Sequence, residues 1–149
     1  MDRDALAAQL AADEGKRLTV YHGATDRPGV WTVGVGHMVL PQDHLALGQT
    51  ITEAECQAFL AHDMDLALGT CHKVWSDFDA LPEEAQQVLA GMAFNLGETR
   101  LRTFRLFIAA VTDRAWQRAA MQLRHSLYYG QVTHRAERYA ARLEALARA

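Results

Sequence analysis

Three residues in the first quarter of the chain have the types and order needed to break a glycosidic bond. Glu14 closes an alanine-rich stretch, Asp26 precedes a Pro-Gly pair, and Thr32 lies in a run of strand-forming residues. Hydrolysis of that kind needs an acid that protonates the leaving oxygen and an ionised carboxylate that activates water or attacks the anomeric carbon. Glu14 reads as the acid, Asp26 as the carboxylate and Thr32 as a hydroxyl on a cleft-facing strand. Asp26 also reads as a plain solvent-exposed turn acid, in which case His22 is the nearest other group able to act as a base.

Local sequence dictates how these side chains are carried. RDALAAQLAA at 3–12 has leucines at i and i+4 and strong helix formers between them, so a helix runs into Asp13-Glu14, with Gly15 as its C-cap. Glu14 therefore emerges at a helix C-terminal end, where the macrodipole disfavours a negative charge. RLTVY reads as a short strand, HGATDRPG as a polar break, and VWTVGVGHMV as a longer strand. Pro28-Gly29 fits the central positions of a type II turn.

Alternation along the longer strand puts Trp31, Val33 and Val35 on one face and Thr32, Gly34 and Gly36 on the other. Glycine weakens a strand and marks a close approach. The bare face reads as the floor of a cleft, with Gly34 supporting the substrate, or as a close-packed backbone crossing.

Beyond Pro41 the pattern turns helical. Thr52-Glu53-Ala54-Glu55 is a capping box, Pro82-Glu83-Glu84 opens a second helix that Gly97 ends, and 103–110, 113–127 and 133–148 are further helical segments. The expectation is an α+β chain in one domain: a β-containing lobe over 13–51, a bridging helix over 52–72 and a helical lobe over 73–149. Trp75, Trp116 and Phe104 fall at apolar helical positions and read as core.

Three blocks carry a family resemblance. EGKRLTVY at 14–21 with GVWTVGVGH at 29–37, AFNLGETRLRTF at 93–104, and SLYYGQVTHRAER at 126–138 resemble, in order, the signatures of the phage-type lysozymes, endolysin muramidases of glycoside hydrolase family 24. The resemblance implies a two-lobe lysozyme-like fold with the cleft between lobes. It also implies hydrolysis of the β-1,4 bond between N-acetylmuramic acid and N-acetylglucosamine in peptidoglycan, with inversion and without a cofactor. The family's general acid falls on Glu14, its water-holding threonine on Thr32, and the arginine that pairs with the glutamate on Arg135. Asn95 and Gln131 match positions with polar residues facing the saccharide, and Tyr128 offers an aromatic face; for each, a structural role is an equal reading.

The aspartate departs from the pattern. In the family an acid follows the glutamate by nine positions and precedes the threonine by six. The first spacing lands here on Gly23 and the second on Asp26, so HGATD carries three extra residues. Asp26 keeps the turn glycine in register with Thr32. A lytic transglycosylase, which needs the glutamate alone, and a non-catalytic peptidoglycan-binding protein on the same fold are the alternatives.

Composition excludes other classes. The chain has 149 residues, 50% of them hydrophobic, a net charge of −3, and no apolar run of membrane-spanning length. The amino-terminal segment does not read as a signal peptide, which implies synthesis and retention in the cytoplasm and, by the resemblance, release through a separately encoded holin. Residues 96–149 hold ten Arg against four acids, read equally as solvated helix faces or as an anion-attracting patch. No nucleic-acid motif accompanies them, the seven histidines show no metal-ligand spacing, and Cys56 and Cys71 read as free thiols. Peptidoglycan glycan strands acted on by a monomer are the expected partner.

Overall fold

The structure, a computed structural model, describes residues 1–24 and 26–149. It is α+β, mostly helical with one small antiparallel sheet. The chain divides into two compact units, residues 3–66 and residues 1–2 with 67–149. The division falls inside a long helix, and the first helix belongs with the sheet.

In the first unit, α1 (Arg3–Glu14) buries Leu6 and Leu10 and stops where expected. Gly15 takes φ +72°, and its N–H donates to the Ala11 carbonyl at 2.9 Å. Glycine reaches that left-handed conformation without the strain a Cβ brings. β1 (Arg17–Tyr21), β2 (Thr32–Gly34) and β3 (His37–Met38) follow, with β2 in the centre. β1 pairs with β2 through Arg17↔Gly34 and Tyr21↔Thr32 with an irregularity between, and β2 with β3 through Thr32↔Met38 and Val33↔His37. The segment around 48–51 adds further backbone bonds to β1, including Ile51 N–H to the Leu18 carbonyl at 2.8 Å.

The single long strand read from VWTVGVGHMV is corrected: the chain reverses at Val35-Gly36 into a hairpin. Gly34 and Gly36 have φ +64° and +63°, values that break an extended strand and that only glycine adopts readily. Alternation of apolar residues cannot distinguish one strand from two that bury the same side. Val33, Val35 and His37 are all buried. The Pro28-Gly29 turn forms as expected, with Gly29 at φ +79° and Val30 N–H on the Arg27 carbonyl at 3.0 Å. Thr25, within the polar break, lies outside the described residues.

A 3₁₀ turn at Pro41–Asp43 leads toward α2 (Glu53–Val74), whose residues up to Leu66 belong to this unit. Thr52 caps α2: its hydroxyl accepts from Glu55 N–H at 3.1 Å and donates to the Glu55 carboxylate. Lys16 pairs with Glu53 in the first turn of α2.

The second unit is helical. After a 3₁₀ turn at Phe78–Ala80 come α3 (Glu83–Leu101), α4 (Arg105–Thr112), α5 (Trp116–Arg124), α6 (Leu127–Gln131) and α7 (Thr133–Leu146). α3 is buried on every side from Ala85 to Ala93, as expected of a helix at the centre of a bundle. Its buried Gln86 donates to the Leu81 carbonyl at 2.7 Å, and Gln87 bridges Glu83 and Arg142. Gly97 breaks the helix with φ +74° and ψ 169°. α5 packs on α4 and α7. Ala110, Ala119, Ala120, Ala136 and Ala140 are fully buried there, and their small side chains let helices approach closely.

Trp75 and Trp116 are buried as expected, while Phe104 is half-buried. The helix read over 113–127 ends at Arg124, and Ser126 caps a new one by accepting Tyr129 N–H. Cys56 and Cys71 are buried free thiols, and burial pushes the Cys71 thiol up to about 12. Among the described residues no helix is long and apolar enough to cross a membrane.

Candidate active site

Glu14, His22, Asp26 and Thr32 all belong to the first unit, where Asp26 and Thr32 are in direct contact. The polar break forms a tight loop in which Asp26 N–H donates to the Gly23 carbonyl at 3.1 Å. In return Gly23 N–H donates to Asp26 Oδ2 at 2.7 Å. The loop thus folds back on its own aspartate. Thr32, held on both sides by Tyr21 and Met38 in the sheet, points its hydroxyl at the same oxygen, donating to Asp26 Oδ2 at 2.8 Å.

Two donors on one carboxylate oxygen fix the group in orientation. They leave Oδ1 with no hydrogen-bond partner among the described residues. An oxygen so placed can take a proton from water. Asp26 and Thr32, the spacing that survives the three-residue insertion, are therefore partners. His22 stands beside them with its ring edge-on to Trp31, centroids 5.6 Å apart, and Nε2 at 3.3 Å from the Arg27 carbonyl.

Glu14 is half-buried at the last position of α1. The residue packed on it is Gly36, which the sequence placed on the bare face with Gly34 but to which it assigned no role of its own. A Cβ built at Gly36 would stand 3.0 Å from Glu14 Cγ, 3.2 Å from its Cβ and 3.3 Å from its Cδ. The bare backbone of the hairpin turn is thus the wall against which the glutamate side chain lies. Gly34 serves differently: it is buried, and a Cβ there would stand 3.2 Å from Cys56 Sγ. The two glycines answer two close approaches, one to the candidate acid and one to α2.

Gly36→Ala should therefore lower both stability and activity. The left-handed backbone conformation costs a non-glycine residue about 1–2 kcal/mol, and the new methyl group pushes Glu14 aside. A drop in Tm of about 2–8 °C follows for a domain of this size, with at least a tenfold loss in rate because a displacement near 1 Å at a reacting group is that expensive. Gly48→Ala is the control, since Gly48 has φ +83° but nothing within 4 Å of the added methyl. It should lose stability alone. Thermal unfolding and turbidity loss of bacterial sacculi measure the two effects.

A second polar cluster lies directly after Gly36. His37 is buried; Nδ1 is 2.7 Å from Asp63 Oδ2 on α2 and Nε2 is 2.9 Å from Asp43 Oδ2 on the 3₁₀ turn. The ring stacks on Phe59 with centroids 4.1 Å apart. Burial disfavours the charged ring, but the hydrogen bonds to Asp63 and Asp43, with the charges of both, outweigh it and hold His37 above its ordinary value. Asp43 shows the mirror case. Burial would raise it, yet the Leu40 N–H and the His37 ring hold it below the usual carboxylate range.

Asn95, Tyr128, Gln131 and Arg135 belong to the second unit. Asn95 is exposed on α3. Tyr128 is buried, edge-on to Phe104 at 6.4 Å, and Gln131 accepts from Arg100 at 2.8 Å. Both line a cavity of about 410 Å³. Arg135 is half-buried on α7.

A carboxylate oriented by a threonine hydroxyl, a glutamate closing the first helix, a small antiparallel sheet in one unit and a helical bundle in the other are the parts of a lysozyme-like fold. Residues 11–138 match the phage lysozyme family, and the chain belongs to that family. Over 135 residues it is 31% identical to the peptidoglycan hydrolase gp36 of Pseudomonas phage phiKMV, an alignment covering 91% of this chain and 14% of that protein. It is 28% identical to the pre-baseplate central spike protein Gp5 of Enterobacteria phage T4, over 89% of this chain and 26% of that one. It is also 22% identical to the probable T4-type lysozyme 2 of Dictyostelium discoideum, over 89% of each. The chain thus spans a small part of the first two relatives and most of the third.

Proposed function

We propose that this chain is a muramidase that hydrolyses the β-1,4 bond between N-acetylmuramic acid and N-acetylglucosamine in peptidoglycan. The carrying observation is the hydrogen bond from Thr32 to Asp26, which ties a hydroxyl to a carboxylate on the unit that also carries Glu14. Glu14 protonates the leaving glycosidic oxygen. Asp26 takes a proton from the water that attacks the anomeric carbon, and Thr32 positions that water through its shared hydrogen bond. Asn95, Tyr128, Gln131 and Arg135 contribute saccharide contacts or support from the second unit. Membership of the phage lysozyme family and the similarity to a named peptidoglycan hydrolase support the substrate class. In the free form, a single copy acts on the wall after a holin opens the membrane, and host lysis follows.

Mass spectrometry of the products tests the reaction. Digested sacculi should yield muropeptides with reducing N-acetylmuramic acid ends. A preponderance of 1,6-anhydro ends would assign the reaction to a lytic transglycosylase, and intact sacculi would leave only binding.

A further inference from the structure

We infer that Arg17, stacked on the ring of Tyr21, is a substrate-binding residue that takes a carboxylate of the peptide carried by the muramyl unit of a glycan strand. The inference rests on the muramidase reading of the proposed function and adds to it a contact outside the reacting groups.

The burial pattern of β1 puts both side chains on the face that carries Thr32. Leu18 and Val20 turn inward, Val20 being buried, while Arg17, Thr19 and Tyr21 stand on the other side. Tyr21 is the direct partner of Thr32 across the ladder, and such partners share a face with Cβ atoms about 4.5–5.5 Å apart. Thr32 in turn donates to Asp26. The row along this face is therefore Arg17, Tyr21, Thr32 and Asp26. An irregular register closes its first step. Between the pairs Arg17↔Gly34 and Tyr21↔Thr32, β1 takes four residue steps where β2 takes two. A strand with extra residues against its partner bends and re-aims its side chains. Four steps of a regular strand span about 13 Å, yet the Arg17 guanidinium carbon lies 4.0 Å from the centre of the Tyr21 ring, where cation and ring face attract.

The ring holds the guanidinium without using any of its N–H donors. The neighbouring Lys16 is paired with Glu53 and Arg3 with Asp65, whereas Arg17 is exposed and meets no carboxylate among the described residues. A guanidinium fixed by one face presents its edge, the fork that matches a carboxylate with two parallel hydrogen bonds. In a peptide-bearing glycan strand the sugars and N-acetyl groups are neutral, and the negative charges are carboxylates of the peptide. That peptide leaves the muramyl unit from the same ring that holds the anomeric carbon. With the anomeric carbon facing Asp26, the Arg17 edge stands on the order of 10 Å away, one cross-strand spacing and one ring contact along the row. Two or three peptide residues, at about 3.5 Å each, cover that distance.

Arg17→Gln tests this on soluble peptide-bearing glycan strands, used with their carboxylates free or converted to amides. The side chain is exposed, so the variant keeps the fold and the wild-type Tm. On free-acid strands its KM should rise about 3–10-fold, the loss of a bidentate contact at a solvent-exposed site, with kcat little changed because the contact is made equally before and during reaction. Amidation should raise the wild-type KM by the same factor and leave that of Arg17→Gln where it is, since each change removes one half of a single pair. Arg17→Lys should recover part of the loss on free-acid strands, having the charge without the fork. A KM that Arg17→Gln leaves unchanged, or that amidation raises equally in wild type and variant, overturns the role of Arg17 and leaves the muramidase reading standing. Wild-type protein that cleaves neither kind of strand overturns that reading, and this role with it.

Discussion

Glu14→Gln leaves the protein folded and removes its ability to clear sacculi. Glutamine has nearly the shape of glutamate, so the packing of its stem against Gly36 and the C-cap at Gly15 are kept. What disappears is the proton. Sugar leaving groups are poor, and a positioned general acid contributes about 10²–10⁴-fold to such a step. Turbidity loss should fall by that factor while Tm stays within about 2 °C, the span of a change near 0.5 kcal/mol. A drop in rate matched by loss of the folded signal would assign Glu14 to structure. An active, folded variant would refute it as the acid.

Asp26→Asn should lower the rate by a similar order, about 10²–10⁴-fold, and Thr32→Ala by less. The hydroxyl makes one hydrogen bond to a carboxylate, a type worth about 1.5–3 kcal/mol, which corresponds to about 10–100-fold if all of it is felt in the transition state. The two groups share one oxygen, Oδ2, so they act as a unit. The double variant should therefore be about as slow as Asp26→Asn alone, well short of the product of the two losses. Full activity in Asp26→Asn transfers the role of base to His22, whose ring is held beside Trp31. The assay is the same clearing of sacculi, with circular dichroism as the control for folding.

The insertion on the glutamate side shows how a fold absorbs a change of spacing. The extra residues enlarge the loop before Asp26, and Gly23 N–H takes the carboxylate from inside that loop. The interval from Asp26 to Thr32 contains the turn at Arg27–Val30, whose geometry depends on a proline and a glycine at fixed positions. That interval cannot stretch without losing the turn, whereas the preceding loop can lengthen at small entropic expense.

Features decided within a few residues were legible in the sequence. The end of α1 at Gly15, the turn at Pro28-Gly29, the cap of α2 at Thr52 and the break at Gly97 each follow from backbone preferences or from a bond three or four residues long. The pairing of Asp26 with Thr32 was legible for the same reason, since one turn separates them. The hairpin at Val35-Gly36 was not, because alternation records which side is buried and carries no record of chain direction. Nor was the difference between Gly34 and Gly36, which depends on whether Cys56 or Glu14 stands opposite. His37 looked like one of several unremarkable histidines until folding set it between Asp43, six residues on, and Asp63, twenty-six residues on. Sequence alone determined the types of the elements and nominated the candidate reacting groups, because these are short-range properties. Tertiary structure decided which side chains are held by which neighbours, because a charge or a missing methyl acquires its effect only from atoms that distant parts of the chain bring to it.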